Sequence, residues 1–213
     1  YLLSLLVTHV TVVIKGHACE ILGRQETFFL FDNVKQSNAA VVDELVPELL
    51  TVGEIQKVLA NLLKENISIR DMASIMEVLA DYARLTKDTE ILTEYVRHAL
   101  ARQISRQYAQ NNIIHCVSLD PVAESLIANN IQRTVACSYV ILDPNNMQKL
   151  LNGLNVELKK MTDVGYLPII ITSPNIRLYF KKLIERSAAG IVVLSHAEIE
   201  SNTELKVLGV VRI

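Results

Sequence analysis

Apolar positions recur along this chain at two periods, and the change falls near Asn111-Asn112. Before that point hydrophobic residues return every three or four positions. After it they gather in short β-branched runs separated by helical stretches. Residues 2–24 are predicted as a helix ending near Gly23, with Leu6, Val10, Val13, His17 and Ile21 at helical spacing. The β-branched run from Val10 to Ile14 would serve a strand equally well. Residues 25–31 continue as a second short helix, and Lys35 to Asn38 read as loop. Val41, Val42, Leu45 and Val46 make an apolar face that stops at Pro47. Thr51 and Glu54 form a capping box ahead of Ile55, Val58, Leu59, Leu62 and Leu63. Ser68 and Asp71 look like a cap pair for Ile69, Met72, Ile75, Met76 and Leu79. Asp88 or Thr89 caps a third helix carrying Ile91, Leu92, Tyr95, Val96, Ala99, Leu100 and Ile104. Its last turns hold Arg97, His98, Arg102 and Arg106, which suits the negative end of the helix dipole. Short linkers at 65–67 and 84–87 make the block a three-helix unit.

Beyond Asn112 the strands predicted are Ile113 to Leu119, Ala136 to Leu142, Leu167 to Thr172, Gly190 to Ser195 and a last one over 205–212. Helices are predicted over 121–130, 145–161 and 175–187. One device recurs at three strand ends: Leu119-Asp120-Pro121, Leu142-Asp143-Pro144 and Thr172-Ser173-Pro174. Asp or Ser at N-cap accepts orphan N–H bonds, and proline at N1 needs none. Leu167-Pro168-Ile169-Ile170-Ile171 is apolar on both faces, as central parallel strands are. Strands spaced by helices imply right-handed crossovers and helices on both faces of the sheet. The fold class is therefore α+β overall: a three-helix-type helical subdomain, then a small α/β subdomain with a mostly parallel sheet. The last strand follows only a short turn, with Ser195 and Glu198 as a possible cap, and suggests an antiparallel edge.

Composition narrows the function. At 213 residues the chain has room for one or two cores. A formal charge of −2 and the absence of tryptophan argue against nucleic acid as a partner. Cys19, Cys116 and Cys137 are an odd count without close pairs, which suits a reducing compartment, and Cys116 and Cys137 in β-like apolar runs read as small buried thiols. No apolar run reaches the roughly 18 residues that a membrane span needs. The first residue is not methionine and no basic leader precedes the apolar start, so the chain reads as a piece of a longer protein.

Catalytic chemistry finds little support. Gly153, Gly165, Gly190 and Gly209 are isolated, so no phosphate-cradling loop exists. Asp120 and Asp143 place negative charge where a phosphate would need donors. His9, His17, Cys19 and Glu20 alone approach a metal-ligand spacing and are expected to be ordinary surface groups. Ser195-His196 lacks a nucleophile elbow. Asp32, Asp43, Glu44 and Glu48 read as a solvated face. A helix-turn-helix reading of the helical block fails on charge, since its second helix carries Arg70, Asp71, Glu77 and Asp81. Arg177, Lys181, Lys182 and Arg186 form a positive stripe, either a solvated face or a dock for an acidic neighbour. No catalytic residue, cofactor or metal is expected. An α/β enzyme or nucleotide sensor working at the strand ends near Asp120, Asp143 and Ser173 stays as the alternative.

The stretches His17-Ala18-Cys19-Glu20-Ile21-Leu22-Gly23-Arg24-Gln25-Glu26, Val42-Asp43-Glu44-Leu45-Val46-Pro47, Gly53-Glu54-Ile55-Gln56-Lys57-Val58-Leu59, Ile67-Ser68-Ile69-Arg70-Asp71, Leu92-Thr93-Glu94-Tyr95-Val96-Arg97 and Leu208-Gly209-Val210-Val211 carry a family likeness. Together they resemble the bacterial type III export-gate family of flagellar and virulence-secretion proteins. The resemblance covers essentially the whole chain in family order. It implies the C-terminal cytoplasmic region of an inner-membrane protein, held to the membrane by a part outside this chain. It implies the end of a first subdomain at 1–38, a helical third subdomain at 39–110 and an α/β fourth at 111–213. It implies a homo-nonameric ring that receives export substrates and chaperone–substrate complexes and meets other components of the export apparatus. The flagellar branch is the first reading and the virulence branch the alternative. Residues 47–106 would supply much of the ring contact, through candidates Glu54, Lys57, Arg70, Asp71 and Arg97. Candidate partner-binding residues are Arg24, Phe28 and Phe29, with Arg177, Lys181, Lys182 and Arg186. The family's chaperone-docking cleft falls mostly upstream of this chain.

Overall fold

The computed structural model describes residues 7, 9–10, 13–14, 16–134, 138–188 and 190–213. The chain divides into two compact units, Tyr1–Leu100 and Ala101–Ile213.

The first unit is helical: α1 (Ala18–Ile21), α2 (Arg24–Lys35), α3 (Ala39–Leu45), α4 (Val52–Lys64), α5 (Met72–Tyr82) and α6 (Thr89–Ala99). Of the helix predicted over 2–24, the described positions up to Gly16 are helical, a turn falls at His17, and α1 ends before Gly23. Leu2 to Leu6, Thr8, Thr11, Val12 and Lys15 lie outside the described residues. Helix α2 runs to Lys35, further than predicted, because Phe31 and Val34 extend its buried face. Helix α4 starts at the capping box: Glu54 N–H donates to Thr51 Oγ1 at 3.3 Å, and Thr51 N–H donates to Glu54 Oε2 at 2.7 Å. At α5 the cap is Asp71 alone, whose carboxylate accepts from Ser74 N–H at 3.3 Å. Asp88 caps α6 by accepting from Glu90 and Ile91 N–H.

These helices pack because their apolar positions align. Ile55, Val58, Leu59 and Leu62 of α4 are fully buried, as are Ile75, Met76 and Leu79 of α5 and Leu92 and Val96 of α6. Helix α4 packs against α1, α2 and α6, and α5 packs against α3 and α6. Each such side chain removed from water contributes roughly 1.5–3 kcal/mol. The predicted third helix divides. Leu100 leaves helical backbone after α6, and Ile104 belongs to α7 (Ala101–Tyr108) in the second unit.

The second unit continues with β1 (Ile113–Leu119), α8 (Pro121–Asn129), β2 (Ile131–Arg133), β3 (Ser138–Val140), α9 (Pro144–Asp163), β4 (Ile169–Thr172), α10 (Arg177–Ile184), β5 (Val192–Ser195), a 3-10 turn (His196–Glu198) and β6 (Glu204–Val211). Four strands form a parallel sheet in the order β5-β4-β1-β6. Helices α8, α9 and α10 bury Ala123, Ile127, Leu150, Leu154, Leu158, Phe180 and Ile184 with Val117, Leu119, Ile170, Val193 and Val211 of the sheet. By strand alternation Ile114, Cys116, Ile171 and Leu194 point to the opposite face, and all four are buried. Burial pushes the Cys116 thiol up to about 11, so it is an inert packing group.

Three sequence expectations need correction here. The last strand is parallel to β1, not an antiparallel edge. The 3-10 turn and residues 199–203 together reach up to roughly 23 Å, enough to pass three strand spacings of ~4.8 Å and return to the start of the sheet. The strand predicted over 136–142 shrinks to Ser138–Val140 and pairs antiparallel with Ile131–Arg133 in a separate ribbon. Its side chains are exposed or half-buried, unlike the wholly buried β4, so it lacks the two apolar faces of a central strand. Val135, Ala136 and Cys137 lie outside the described residues. At the junctions, Asp120 caps α8 by accepting from Ala123 N–H at 2.7 Å, and Asp143 caps α9 by accepting from Asn145 and Asn146 N–H at 3.0 Å. Ser173 does not cap a helix: α10 starts only at Arg177, and Ser173 N–H donates to Glu124 Oε1 at 2.8 Å.

Candidate functional site

In the first unit a cleft of about 310 Å³ opens beside the start of α4, lined by Arg24, Thr51, Gly53, Glu54, Gln56, Lys57 and Ala60. Arg24 opens α2, and its guanidinium lies over Gly53: a Cβ there would stand 3.4 Å from Nη2. Gln56 fixes the approach by donating from Nε2 to Leu22 O at 2.8 Å. The capping box commits Glu54. Its carboxyl lies below the usual carboxylate range because Thr51 donates to it from backbone and hydroxyl, helped by Lys87 and Lys57. Arg24 and Lys57 are exposed. The cleft therefore presents two cations and one carboxylate already occupied by its own helix end. That arrangement suits an incoming acidic group.

The structure thus brings three sequence candidates, Arg24, Glu54 and Lys57, to one place. Phe28 and Phe29 are 54% and 58% exposed on α2, while Thr27, Phe31 and Val34 of the same helix are buried. Arg70 and Asp71 are exposed at the start of α5, with Asp71 engaged as its cap.

Two candidates move from the surface to the interior. Arg97 is 1% exposed, with Nη1 3.0 Å from Glu65 Oε2. Arg177 is fully buried, with Nε 3.6 Å from Glu198 Oε1 and Nη1 donating to Val193 O at 3.3 Å. Lys181 donates to Ile191 O at 2.9 Å and Lys182 to Ser138 O at 3.2 Å, which leaves only Arg186 of the stripe exposed. The expected solvated stripe is corrected for a physical reason. Tyr179, Phe180 and Ile184 bury α10, and its long basic side chains reach backbone carbonyls. The signal present in the sequence was the apolar content of residues 178–184 on more than one helix face.

His17 Nδ1 lies 3.1 Å from Glu20 Oε2, and no group of three or more metal-ligating side chains occurs among the described residues. Ser195 is engaged locally: its N–H donates to Glu198 Oε2 at 3.4 Å. Asp120 and Asp143 are held as helix caps.

The FHIPEP family model matches residues 2–204. The flagellar biosynthesis protein FlhA of Bacillus subtilis is 42% identical over 211 residues, 99% of this chain and 31% of that protein. The CdsV protein of Chlamydia pneumoniae has a fold matching with TM-score 0.89 at 29% identity, over 98% of this chain and 60% of that one. The nonameric SctV-C of EPEC, solved by cryo-EM, matches with TM-score 0.85 at 33% identity, over 95% of this chain and 61% of that one. The chain spans about 30% of the length of the curated relatives it matches.

Proposed function

We propose that this chain, which belongs to the FHIPEP family, is the docking and ring-forming region of the membrane export gate in a bacterial flagellar type III protein export apparatus. It receives export substrates and chaperone–substrate complexes and catalyses no reaction. One observation carries this reading: nearly the whole fold overlays a relative solved as a ring of nine. The flagellar branch is favoured by the 42% identity to a flagellar protein, against 33% to the EPEC ring protein.

The chemistry supports such a role. Arg24 and Lys57 offer paired cations at a cleft rim, where a carboxylate of the next copy would gain charge-assisted hydrogen bonds. Arg70 and Asp71 are further exposed charges of the helical unit, at the start of α5. Phe28 and Phe29 present apolar area that a lone domain has no reason to expose together. In this reading residues 1–38 are the end of a first subdomain, 39–110 a helical third and 111–213 an α/β fourth, on the cytoplasmic side of the inner membrane. No described helix is long and apolar enough to cross a membrane.

The test is cross-linking of the full-length protein in its native membrane, with cysteine placed at Lys57 and at acidic surface positions. A ladder of homotypic products reaching nine copies is expected. Monomers alone would overturn the reading.

A further inference from the structure

The parallel sheet of the second unit has two edges, and the fold treats them oppositely. At β5, Val192 N–H donates inward to Pro168 O at 3.0 Å, so by alternation the main-chain groups of Ile191, Val193 and Ser195 point outward. All three are covered. Lys181 takes the carbonyl of Ile191, Arg177 takes that of Val193, and Glu198 takes the N–H of Ser195. Charged side chains block this edge against further pairing.

Among the described residues the β6 edge has no such cover. Glu204 N–H donates inward to Asn112 O at 2.9 Å, so Leu205 and Val207 turn their main-chain groups outward. Val211 O accepts from Asp120 N–H at 3.0 Å, so Val210 points outward after the register shift that follows Val207. Among the described residues none hydrogen-bonds to this outer side. The strand is eight residues long, has no proline, and carries no charge from Val207 to Val211. Val207, Leu208 and Val210 are 48%, 39% and 39% exposed. Helix α9 supports the strand from one face, with Glu157 against Gly209 and Val211 against Gly153.

We propose that the outer edge of β6 is a strand-addition site for an extended, uncharged segment of a client polypeptide. A second copy does not fit the edge. Antiparallel pairing of β6 with itself is two-fold, and a ring of nine, as in the EPEC relative, leaves an odd copy unpaired. Three exposed apolar side chains also fall far short of the roughly 1,200 Å² that a stable interface buries. An extended client satisfies the edge differently. Its main chain supplies hydrogen bonds whatever its sequence, and its alternate side chains cover Val207 and Val210. A charge opposite the neutral stretch would lose its hydration without a partner, which selects uncharged segments. The inference rests on the reading that export clients reach this chain, and it names how one is held.

The probe is a capped octapeptide of alternating threonine and valine, with the same peptide N-methylated at alternate residues as its control. Amide exchange of the chain at Leu205, Val207 and Val210 is expected to slow at least about tenfold with the parent peptide and not with the methylated one. Val207→Pro, which removes an outward donor and keeps the inward bonds, is expected to weaken peptide binding at least about tenfold. Equal binding of both peptides, protection elsewhere, no binding, or dimers joined at β6 would each overturn the proposal. If Val207→Pro fails to fold, the methylated peptide on the parent chain still decides. Ring cross-links through Lys57 do not involve β6, so they fail or succeed separately.

Discussion

Arg177 and Glu198 form an ion pair in the interior of the second unit, Nε to Oε1 at 3.6 Å, with exposures of 0% and 2%. Through it α10 is joined to the connection that leaves β5. Ser105 strengthens the same junction, its hydroxyl donating to Glu198 O and accepting from Glu200 N–H. Removing one partner leaves the other charge buried. Arg177→Ala is expected to destabilise the chain by about 3–5 kcal/mol, and Arg177→Met with Glu198→Gln by much less. Denaturant titration of the three proteins checks this, and equal losses for the single and double variants would contradict it.

Leu62 sits at the centre of the helical unit with no exposed area. Leu62→Asp buries a carboxylate without a partner and is expected to cost more than about 4 kcal/mol. Thermal unfolding reads it directly. An unchanged melting temperature would mean that this face of α4 is not internal.

The capping box at α4 gives a pH signature. The folded Glu54 carboxyl is held below its unfolded range, chiefly by Thr51, so its stabilisation is full above the unfolded pKa and fades as pH falls through the folded one. Glu54→Gln is expected to flatten the acid limb of the stability profile, while Thr51→Ala costs about 1 kcal/mol at neutral pH. Denaturation followed from neutral pH down through the carboxylate range compares the two. An acid limb as steep in Glu54→Gln as in the parent would remove the capping carboxylate from the account.

Much of the fold is legible in the sequence because its signals are local. Strand β1 runs Ile113–Leu119 as its apolar run predicts, and Thr51, Asp88, Asp120 and Asp143 cap the helices they precede. What escapes is set by partners remote along the chain. Arg97 carries no local mark of burial and Arg177 only the apolar residues that follow it, since Glu65 and Glu198 that pair with them lie far off in sequence. The direction of β6 depends on how far the preceding connection reaches, and the β2–β3 ribbon on a three-residue run too short to show a period. Of the candidate surface, Arg24, Glu54 and Lys57 were each visible as residues, but their meeting in one cleft depends on α2 packing against α4.

Phe28 and Phe29 separate stability from association. Both are exposed, so Phe28→Ser with Phe29→Ser is expected to change stability by no more than about 0.5 kcal/mol for each position. Loss of partner or copy association with an unchanged melting curve is the expected pattern, read by sedimentation and thermal unfolding together. A large drop in melting temperature would show that the pair serves the fold itself.

Single-particle imaging of the full-length protein, with and without Lys57→Glu, tests the central claim most directly. Nine-fold rings are expected for the parent, with Lys57 at the contact between copies, and rings that fall apart or lose subunits for the variant, most at low salt where the like charges repel hardest. Particles without rotational symmetry, or intact rings in which the Lys57 surface faces solvent, would contradict it.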